Sequence, residues 1–458
     1  MADKVPTSRL VRGSKLGQVA AGRAIRTAGT RVSMIGRSEE VRARLAEKSS
    51  IAAAEQLVTV LGSMKGVAMK LGQMLSILDL DLVPEEHRAD FQRKLAALRD
   101  QAPTTSFESM RAVIESDYGR PIAEVFADFD PEPVAAASIG QVYRARLHDG
   151  REVAVKVQYP GIDAAIRADL KNLTMFLKIW KSTVPTLSTP ALLNELRLNF
   201  EGELDYEREA RTQHEIARLY AGHPFIAIPD SMPELSTRRV LVSEFFGGTG
   251  FAGIRALPQA ERNRVGEIIF RFYIGSLYRH HEFCGDPHPG NVLLGADGRV
   301  GFVDFGLFNR MDPVHVEFEK RCLRAATEGR RDDLYALMVE RGVIAPGADV
   351  TPDECFEYVC AAAEWNLVDE EIAITPEMAS TGFLLAIDPR ASEFSGMKSQ
   401  NLPPEHLFSR RADFLTFGVL GQLDASANWH RIGREWVYDA APATELGAAE
   451  EKWRSGRS

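Results

Sequence analysis

Cysteine is scarce in this chain: Cys284, Cys322, Cys355 and Cys360 are the four in 458 residues. None stands in a Cys-x-x-Cys pair or in a Cys/His cluster with zinc spacing, which argues against a zinc module. Such sparing use fits a reducing compartment and predicts buried free thiols. No apolar run approaches the roughly 18–20 residues of a membrane span. The N-terminus lacks the continuous apolar stretch of a secretory leader. The closing stretch, Ala441 to Ser458, is polar and helix-prone, so no tail anchor is expected in it. Positive charge is in deficit as well, with 55 Lys and Arg against 64 Asp and Glu and a net charge of −9. Phosphate-backbone contacts need a clustered basic surface, so nucleic acid is not an expected partner.

What is present is ordinary globular material. The chain is 45% hydrophobic and 26% charged, enough for two or three structural units. Charge is uneven, because residues 1–50 carry 11 Lys and Arg against 4 Asp and Glu. This segment reads as a solvated, partly disordered arm, with peripheral contact to an anionic membrane as the alternative. Residues 51–78 place apolar side chains at three- and four-residue steps and read as helix. Pro84 opens a second helix to about Leu98, and Ser106 caps a third over Phe107–Asp117. Strand alternation begins at residues 140–147 and continues over 151–158, with the hairpin signal Asp149-Gly150 between them. Helices are expected at about 161–183 and 191–221, and short strands at Phe225–Ile228 and Arg239–Phe245. From Pro258 onward the chain reads as helical, interrupted at residues 283–309.

That interruption concentrates the chemistry. It reads FCGDPHPGNVLLGADGRVGFVDFGLFN, with Asp297-Gly298 as the centre of a second hairpin. A two-residue turn there sets Asn291 directly opposite Asp304. An amide oxygen beside a carboxylate suits Mg²⁺, which takes hard oxygen ligands. Asp286 lies five positions before Asn291, and Asp304 opens Asp-Phe-Gly. This is the spacing of kinase catalytic and metal loops. Upstream, Val153-Ala154-Val155-Lys156 puts Lys156 on the face opposite the valines. A lysine on an inner sheet face needs an anion, which nucleotide phosphates and a helix glutamate supply. The acidic run Glu201–Glu209 offers that glutamate; the alternative is a solvated charged face. Glu203 and Asp205 stand about 200° apart on a continuous helix, so both face one site only if the helix starts or bends there. No Gly-x-Gly-x-x-Gly precedes Lys156. The segment Pro133–Val142 carries Ala135, Ala136, Ala137 and Ser138 instead, whose Cβ atoms limit backbone approach to phosphate. Lys70 and Gln73, either side of Gly72, share a helical face; the same Lys-Leu-Gly-Gln string recurs at residues 15–18.

These strings resemble the UbiB/ADCK (AarF) atypical kinases. MKGVAMKLGQMLSI is similar to their KxGQ helix, PVAAASIGQVYRARL to their Ala-rich loop, VAVKVQYPG to their Lys strand and ELDYEREA to their ExD helix. DPHPGN and VDFG resemble their metal-binding loop and strand, and the likeness runs in order over residues 50–310. The resemblance implies an α+β, two-lobed, protein-kinase-like fold. The basic arm would be 1–50, a helical extension 51–118, an N-lobe 119–246 and a mostly helical C-lobe 247–458. It implies ATP and Mg²⁺ as cofactors. Lys156 would contact phosphates and pair with Glu209, with Ala135–Ser138 over the nucleotide. Ser243, Glu244 and Phe245 would meet adenine through backbone groups. Asn291 and Asp304 would hold the metal, and Asp286 would stand at the catalytic-base position. Glu203 and Asp205 would form the ExD element. Lys70, Gly72 and Gln73 would belong to a helix folded over the ground that a protein substrate needs.

Two departures stand out: Phe283-Cys284-Gly285 precedes Asp286 where ordinary kinases have His-Arg, and no Ala-Pro-Glu follows Asp304. The expected function is slow phosphoryl transfer to water or to a small or lipid-linked acceptor, in isoprenoid-quinone or lipid metabolism. The alternatives are a nucleotide-regulated scaffold with little turnover and a small-molecule alcohol kinase.

Overall fold

The computed structural model describes residues 105–180, 197, 200, 202–345, 347–379 and 403–457. The arm over 1–50, the two helices expected before residue 100, and Lys70, Gly72 and Gln73 lie outside the described residues. The chain divides into two compact units. One holds residues up to Arg211 together with Met232–Phe245; the other holds Thr212–Ser231 and everything from Phe246 onward.

The first unit is built on an antiparallel sheet. Helix α1 (Phe107–Tyr118) follows Ser106, which has the extended backbone of an N-cap, and ends at Gly119, whose φ of 64° closes it in the left-handed region. Strands β1 (Phe126–Ala136), β2 (Gly140–Leu147) and β3 (Glu152–Gln158) follow. The next strand in sequence, β4 (Ile226–Ala227), belongs to the second unit, and β5 (Val240–Glu244) completes this sheet in the order β1-β2-β3-β5. Val153, Val155 and Val157 are fully buried with Tyr143, Val240 and Val242, the alternation expected of a half-buried sheet.

Strand β1 is a departure from the sequence reading, which begins strand structure only at Gly140. It is an edge strand with an exposed face and two prolines, Pro131 and Pro133, and the missing N–H groups of proline are tolerated only there. Phe107 of α1 packs 5.6 Å from Phe129 and 5.7 Å from Tyr143. Asp117, at the end of α1, accepts from Thr237 Oγ1 at 2.7 Å and Arg239 Nε at 2.8 Å, tying the helix to the start of β5.

Helix α2 (Ile162–Trp180) follows β3. The helix expected over 191–221 is interrupted at Leu204 and Asp205, and α3 (Tyr206–Leu219) begins there. The Asp205 carboxylate accepts the Arg208 N–H at 3.0 Å and its carbonyl accepts the Glu209 N–H at 3.1 Å, so Asp205 is the N-cap.

The second unit is mostly helical. Helix α4 (Gln259–Phe270) runs through a π-helical turn (Arg271–Gly275) into α5 (Ser276–His280). A ribbon of β6 (Thr249–Gly250), β8 (Val292–Leu294) and β9 (Val300–Phe302) carries β4 on its far edge, and β7 (Glu282–Cys284) pairs with β10 (Phe308–Arg310). Helices α6 (Pro313–Thr327), α7 (Arg331–Glu340) and α8 (Pro352–Leu367) bury a satellite core that contains Cys322 and Cys355. Strand β11 (Ile372–Ile374) pairs with β12 (Ala425–Ala427), which follows α9 (Pro404–Leu423). Helices α10 (Trp429–Val437) and α11 (Glu445–Ser455) close the unit.

The main core centres on the π-helical turn. Phe270 lies 5.2 Å from both Trp429 and Trp436, and Phe272 stacks on Phe302 at 3.8 Å. Gly275 is obligatory in this packing, because a Cβ would stand 2.9 Å from the Trp436 ring. Beside the aromatics, Arg271 is wholly buried against Glu267 (2.8 Å), Glu435 (2.8 Å) and Glu450 (2.9 Å). Burial opposes its charge, but the Glu435 hydrogen bonds and the three carboxylates hold the guanidinium above its usual pKa. All four cysteines are free, and Cys284, Cys322 and Cys355 are buried. Among the described residues no helix is long and apolar enough to cross a membrane.

Candidate functional site

In the first unit the central object is a buried ion pair. Lys156 Nζ donates to Glu209 Oε1 at 2.9 Å, with the two side chains 15% and 2% exposed. The lysine also sits 5.0 Å from the centre of the Tyr206 ring. The local cause is the cap at Asp205: it starts α3 so that Glu209 falls in the first turn, on the side facing β3. A buried lysine–carboxylate pair is costly to assemble as scaffolding alone. A phosphate that shares the ammonium offsets that cost through charge-assisted hydrogen bonds.

The Ala-rich segment, a loop in the sequence reading, is the end of a β-hairpin. Ala135 pairs with Val142 and Ala136 with Gln141, and the Ala137 N–H donates to the Gly140 carbonyl at 2.8 Å. Ser138 Oγ donates to Glu203 Oε2 at 3.4 Å, so the turn is tethered to the acidic segment before α3. The glutamate and the aspartate of the ExD string therefore divide their work, Glu203 on the hairpin turn and Asp205 on the helix cap. Gly140 has a packing reason to be glycine, since a Cβ would meet the Val157 carbonyl oxygen at 2.1 Å. At the end of β5, Glu244 is exposed, but the Phe245 N–H donates to the Glu152 carbonyl at 3.1 Å. That N–H extends the sheet, so an adenine would be met by other backbone groups of this segment.

In the second unit the loop between β7 and β8 carries Asp286 and Asn291. His288 braces it, with Nδ1 accepting the Gly290 N–H and its carbonyl accepting the Asn291 N–H, both at 3.0 Å. The register of the following hairpin corrects the sequence expectation. Val292 pairs with Phe302 and Leu294 with Val300, so Asn291 stands opposite Val303, whose N–H it accepts at 3.2 Å. Asp304 is one residue further along. The reason is a three-residue loop, Ala296–Gly298, in place of a two-residue turn. Gly298 has φ of 80°, the left-handed bulge residue of such loops. His148–Gly150 closes the other hairpin in the same way, with Asp149 and Asp297 each accepting from the N–H of the arginine two residues on, at 3.0 Å.

Asp304 thus lies beyond the ladder, and its position is set by its own turn, with Oδ1 accepting the Gly306 N–H at 3.2 Å. Phe305 anchors that turn in the core. Two residues that the sequence reading does not select complete this half. Arg411, on α9, donates to Asp286 Oδ1 at 2.8 Å. Tyr273, on the π-helical turn, lies against the His288 backbone; burial chiefly, with the charges of Cys284, Asp304 and Asp286, pushes its hydroxyl well above the usual pKa. Both carboxylates therefore lie within electrostatic reach of one buried phenol. The donor set fits a magnesium ion in chemistry, since Asn291 and Asp304 offer hard oxygens on adjoining backbone. Among the described residues no group of three His, Cys, Asp or Glu could hold a metal alone. A metal here would complete its shell with water and phosphate oxygens, as Mg²⁺ commonly does.

Comparison with known proteins shows the family. The model of the ABC1 atypical kinase-like domain matches residues 97–337, more than half of the chain. The chain belongs to the ABC1 atypical kinase-like family. Its fold is accordingly the α+β protein-kinase-like one, and the UbiB/ADCK (AarF) resemblance read from the motifs is the same family. The rat protein named atypical kinase COQ8B, mitochondrial, is 33% identical over 335 residues, covering 72% of this chain and 62% of that protein. The chicken AarF domain-containing protein kinase 1 is 30% identical over 390 residues, covering 82% and 72%. A solved structure, described as the complex structure of Rv3197-erythromycin from Mycobacterium tuberculosis, aligns at a TM-score of 0.61 with 32% identity, covering 87% of this chain and 98% of that one. The matched stretch spans 62%, 55% and 46% of the first three curated relatives.

Within the ABC1 family frame, neither Arg411 nor Tyr273 could be found from local motifs. Arg411 stands 125 residues after its partner, on a helix whose own pattern is that of a core element. The nearest signal is negative: ordinary kinases place an arginine immediately before the catalytic aspartate, and here that position is Gly285.

Proposed function

We propose that this chain binds Mg-ATP and transfers the γ-phosphoryl group slowly, to water or to a small or lipid-linked acceptor. The observation that carries this reading is the buried Lys156–Glu209 pair, 2.9 Å apart, in a family of atypical kinases. Lys156 would orient the α- and β-phosphates, held in place by Glu209. Asn291 and Asp304 would hold the metal, which neutralises charge on the phosphates. Asp286, oriented by Arg411, would accept the acceptor's proton as its oxygen bonds to phosphorus and the bond to the β-phosphate oxygen breaks. The relative named COQ8B and the AarF kinases support an isoprenoid-quinone or lipid setting. Contact with a membrane surface through the basic residues 1–50 belongs to the same proposal, as does a location in the cytoplasm or at a membrane periphery.

Slow turnover is favoured by the Ala-rich hairpin. Its Ala137 N–H is spent on Gly140 and its Ser138 is tethered to Glu203, so the backbone offers phosphate fewer donors than a glycine loop does. The same observation supports the second reading, a nucleotide-regulated scaffold with little turnover. ATP hydrolysis by purified protein separates them, measured with and without a lipid or phenolic activator. Lys156→Met is expected to lower kcat/KM for ATP by about 10²-fold or more, the loss of a buried charge contact to phosphate. Equal turnover in the wild type and this variant would refute the assignment of Lys156. Nucleotide binding without measurable hydrolysis under either condition would favour the scaffold.

A further inference from the structure

The second unit contains a cavity of about 260 Å³ that none of the residues above uses. It lies among α6, α7, α8 and α9. Helix α9 lines it with one face, placing His406, Ser409, Arg410, Asp413, Phe414 and Phe417 at three- and four-residue steps. The opposite wall is mainly apolar, with Phe318, Leu323, Met338 and Trp365. Three carboxylates meet this lining: Glu364 is exposed, and the other two are treated differently. Glu319 is satisfied: its Oε1 accepts from His406 Nδ1 at 2.8 Å and from Ser409 Oγ at 2.7 Å. His406 Nε2 in turn accepts from Arg341 Nε at 3.2 Å, so the ring bridges Arg341 and Glu319. Asp413 is half-buried at the cavity surface and makes no hydrogen bond or ion pair among the described residues. Arg410 also lines the cavity, yet it forms no ion pair with Asp413.

We propose that this cavity is a binding site for a small apolar amine, taken as its ammonium ion with Asp413 as the counter-ion. Charge complementarity decides the class. A largely apolar pocket with an unpartnered carboxyl in its lining gains a charge-assisted hydrogen bond from a cation and loses nothing on its greasy walls. A carboxylate ligand would instead meet the charge of Glu319, with Arg410 as the cation among the lining residues. Burial, with the charge of Glu319, pushes the Asp413 carboxyl up to about 8, against a pull from Arg410. Near neutral pH it is therefore largely protonated when the pocket is empty, and the ammonium takes the place of that proton. The other titratable groups facing the cavity are Glu319, His406, Arg410, Glu364, Tyr278 and Cys322. The thiol of Cys322 is pushed up to about 12 by burial and by Glu319, so it stays neutral.

The test uses the full chain without nucleotide and two probes of nearly equal shape, 4-phenylbutylamine and 4-phenylbutanol, followed by calorimetry. The amine is expected to bind the wild type about tenfold or more tightly than the alcohol. Its binding at pH 7.0–7.5 should release a proton, read as a heat that varies with the ionisation enthalpy of the buffer. That release should vanish near pH 9, above the Asp413 midpoint. The near-isosteric Asp413→Asn is expected to weaken the amine about tenfold and leave the alcohol within about twofold. The wild-type comparison and the proton release stand even if the variant fails to fold. Equal binding of amine and alcohol, no binding of either, no proton release, or an Asp413→Asn variant that keeps full amine affinity would each overturn the proposal. None of these outcomes bears on the phosphoryl-transfer reading, because no residue of that site lines the cavity.

Discussion

Replacing Arg271 with methionine tests the architecture that holds the loop carrying Asp286 and Asn291. The guanidinium is wholly buried and answers Glu267, Glu435 and Glu450 at 2.8, 2.8 and 2.9 Å. Methionine fills most of the volume but leaves three carboxylates with Arg279 as the remaining cation nearby, 3.7 Å from Glu435 and 3.6 Å from Glu450. Removing one partner of a buried ion network costs about 3–5 kcal/mol. A total stability of about 5–15 kcal/mol would lose a large fraction. The pH dependence has a definite sign. Burial already raises the Glu450 pKa in the wild type, and loss of Arg271, which pulls it down, raises it further. A carboxyl raised in the folded state costs nothing while both states are protonated, and its cost grows as pH climbs through the unfolded value toward the folded one. The deficit of Arg271→Met should therefore shrink below about pH 4.5 and grow as pH rises above it.

Urea unfolding followed by tryptophan fluorescence measures it, since Trp365, Trp429, Trp436 and Trp453 all lie in the second unit. A loss under about 1 kcal/mol at pH 8, or a loss that grows on acidification, would refute the account of the network. The functional consequence follows from position. Arg271 opens the π-helical turn that carries Tyr273 against His288. Looser packing there should reach the loop holding Asp286 and Asn291.

Two further expectations follow from single contacts. Arg411→Met frees Asp286 from its 2.8 Å partner; kcat for ATP hydrolysis should fall about 10–100-fold with KM changed less than threefold, because Arg411 orients the aspartate and does not bind substrate. An equal rise in KM would make it a substrate-binding residue instead. Asp205→Ala removes the N-cap of α3 and should cost about 1 kcal/mol in denaturant unfolding, while Asp205→Ser should recover most of it. A loss unrescued by serine would place the role of Asp205 outside capping.

The sequence carries most of the local structure and little of the long-range assembly. Gly-containing hairpins, the alternation around Lys156 and the Asp-Phe-Gly turn are local signals, and each appears where the residues place it. Register is decided by the number of residues in a loop, and Asp-Gly serves two- and three-residue turns alike. One extra residue, Ala296 joining the loop, moves Asn291 from Asp304 to Val303. Strand β1 is masked by Pro131 and Pro133 and by an exposed face, which together imitate a loop. The break at Asp205 is readable in hindsight as a cap, because a short acidic side chain followed by Glu207 and Glu209 in the first turn is the pattern of a helix start. Arg411 and Tyr273 carry no local mark at all; tertiary packing alone brings them to the loop.

The proposed phosphoryl transfer needs Asp304 to hold a metal against bound nucleotide. Titrating ATP into the wild type and into Asp304→Asn, in Mg²⁺ and then in excess chelator, tests it most directly. Wild-type affinity should depend on Mg²⁺, while the variant should bind weakly and equally with and without the metal and show no ATPase activity. Mg²⁺-dependent binding and unchanged hydrolysis in Asp304→Asn would contradict it.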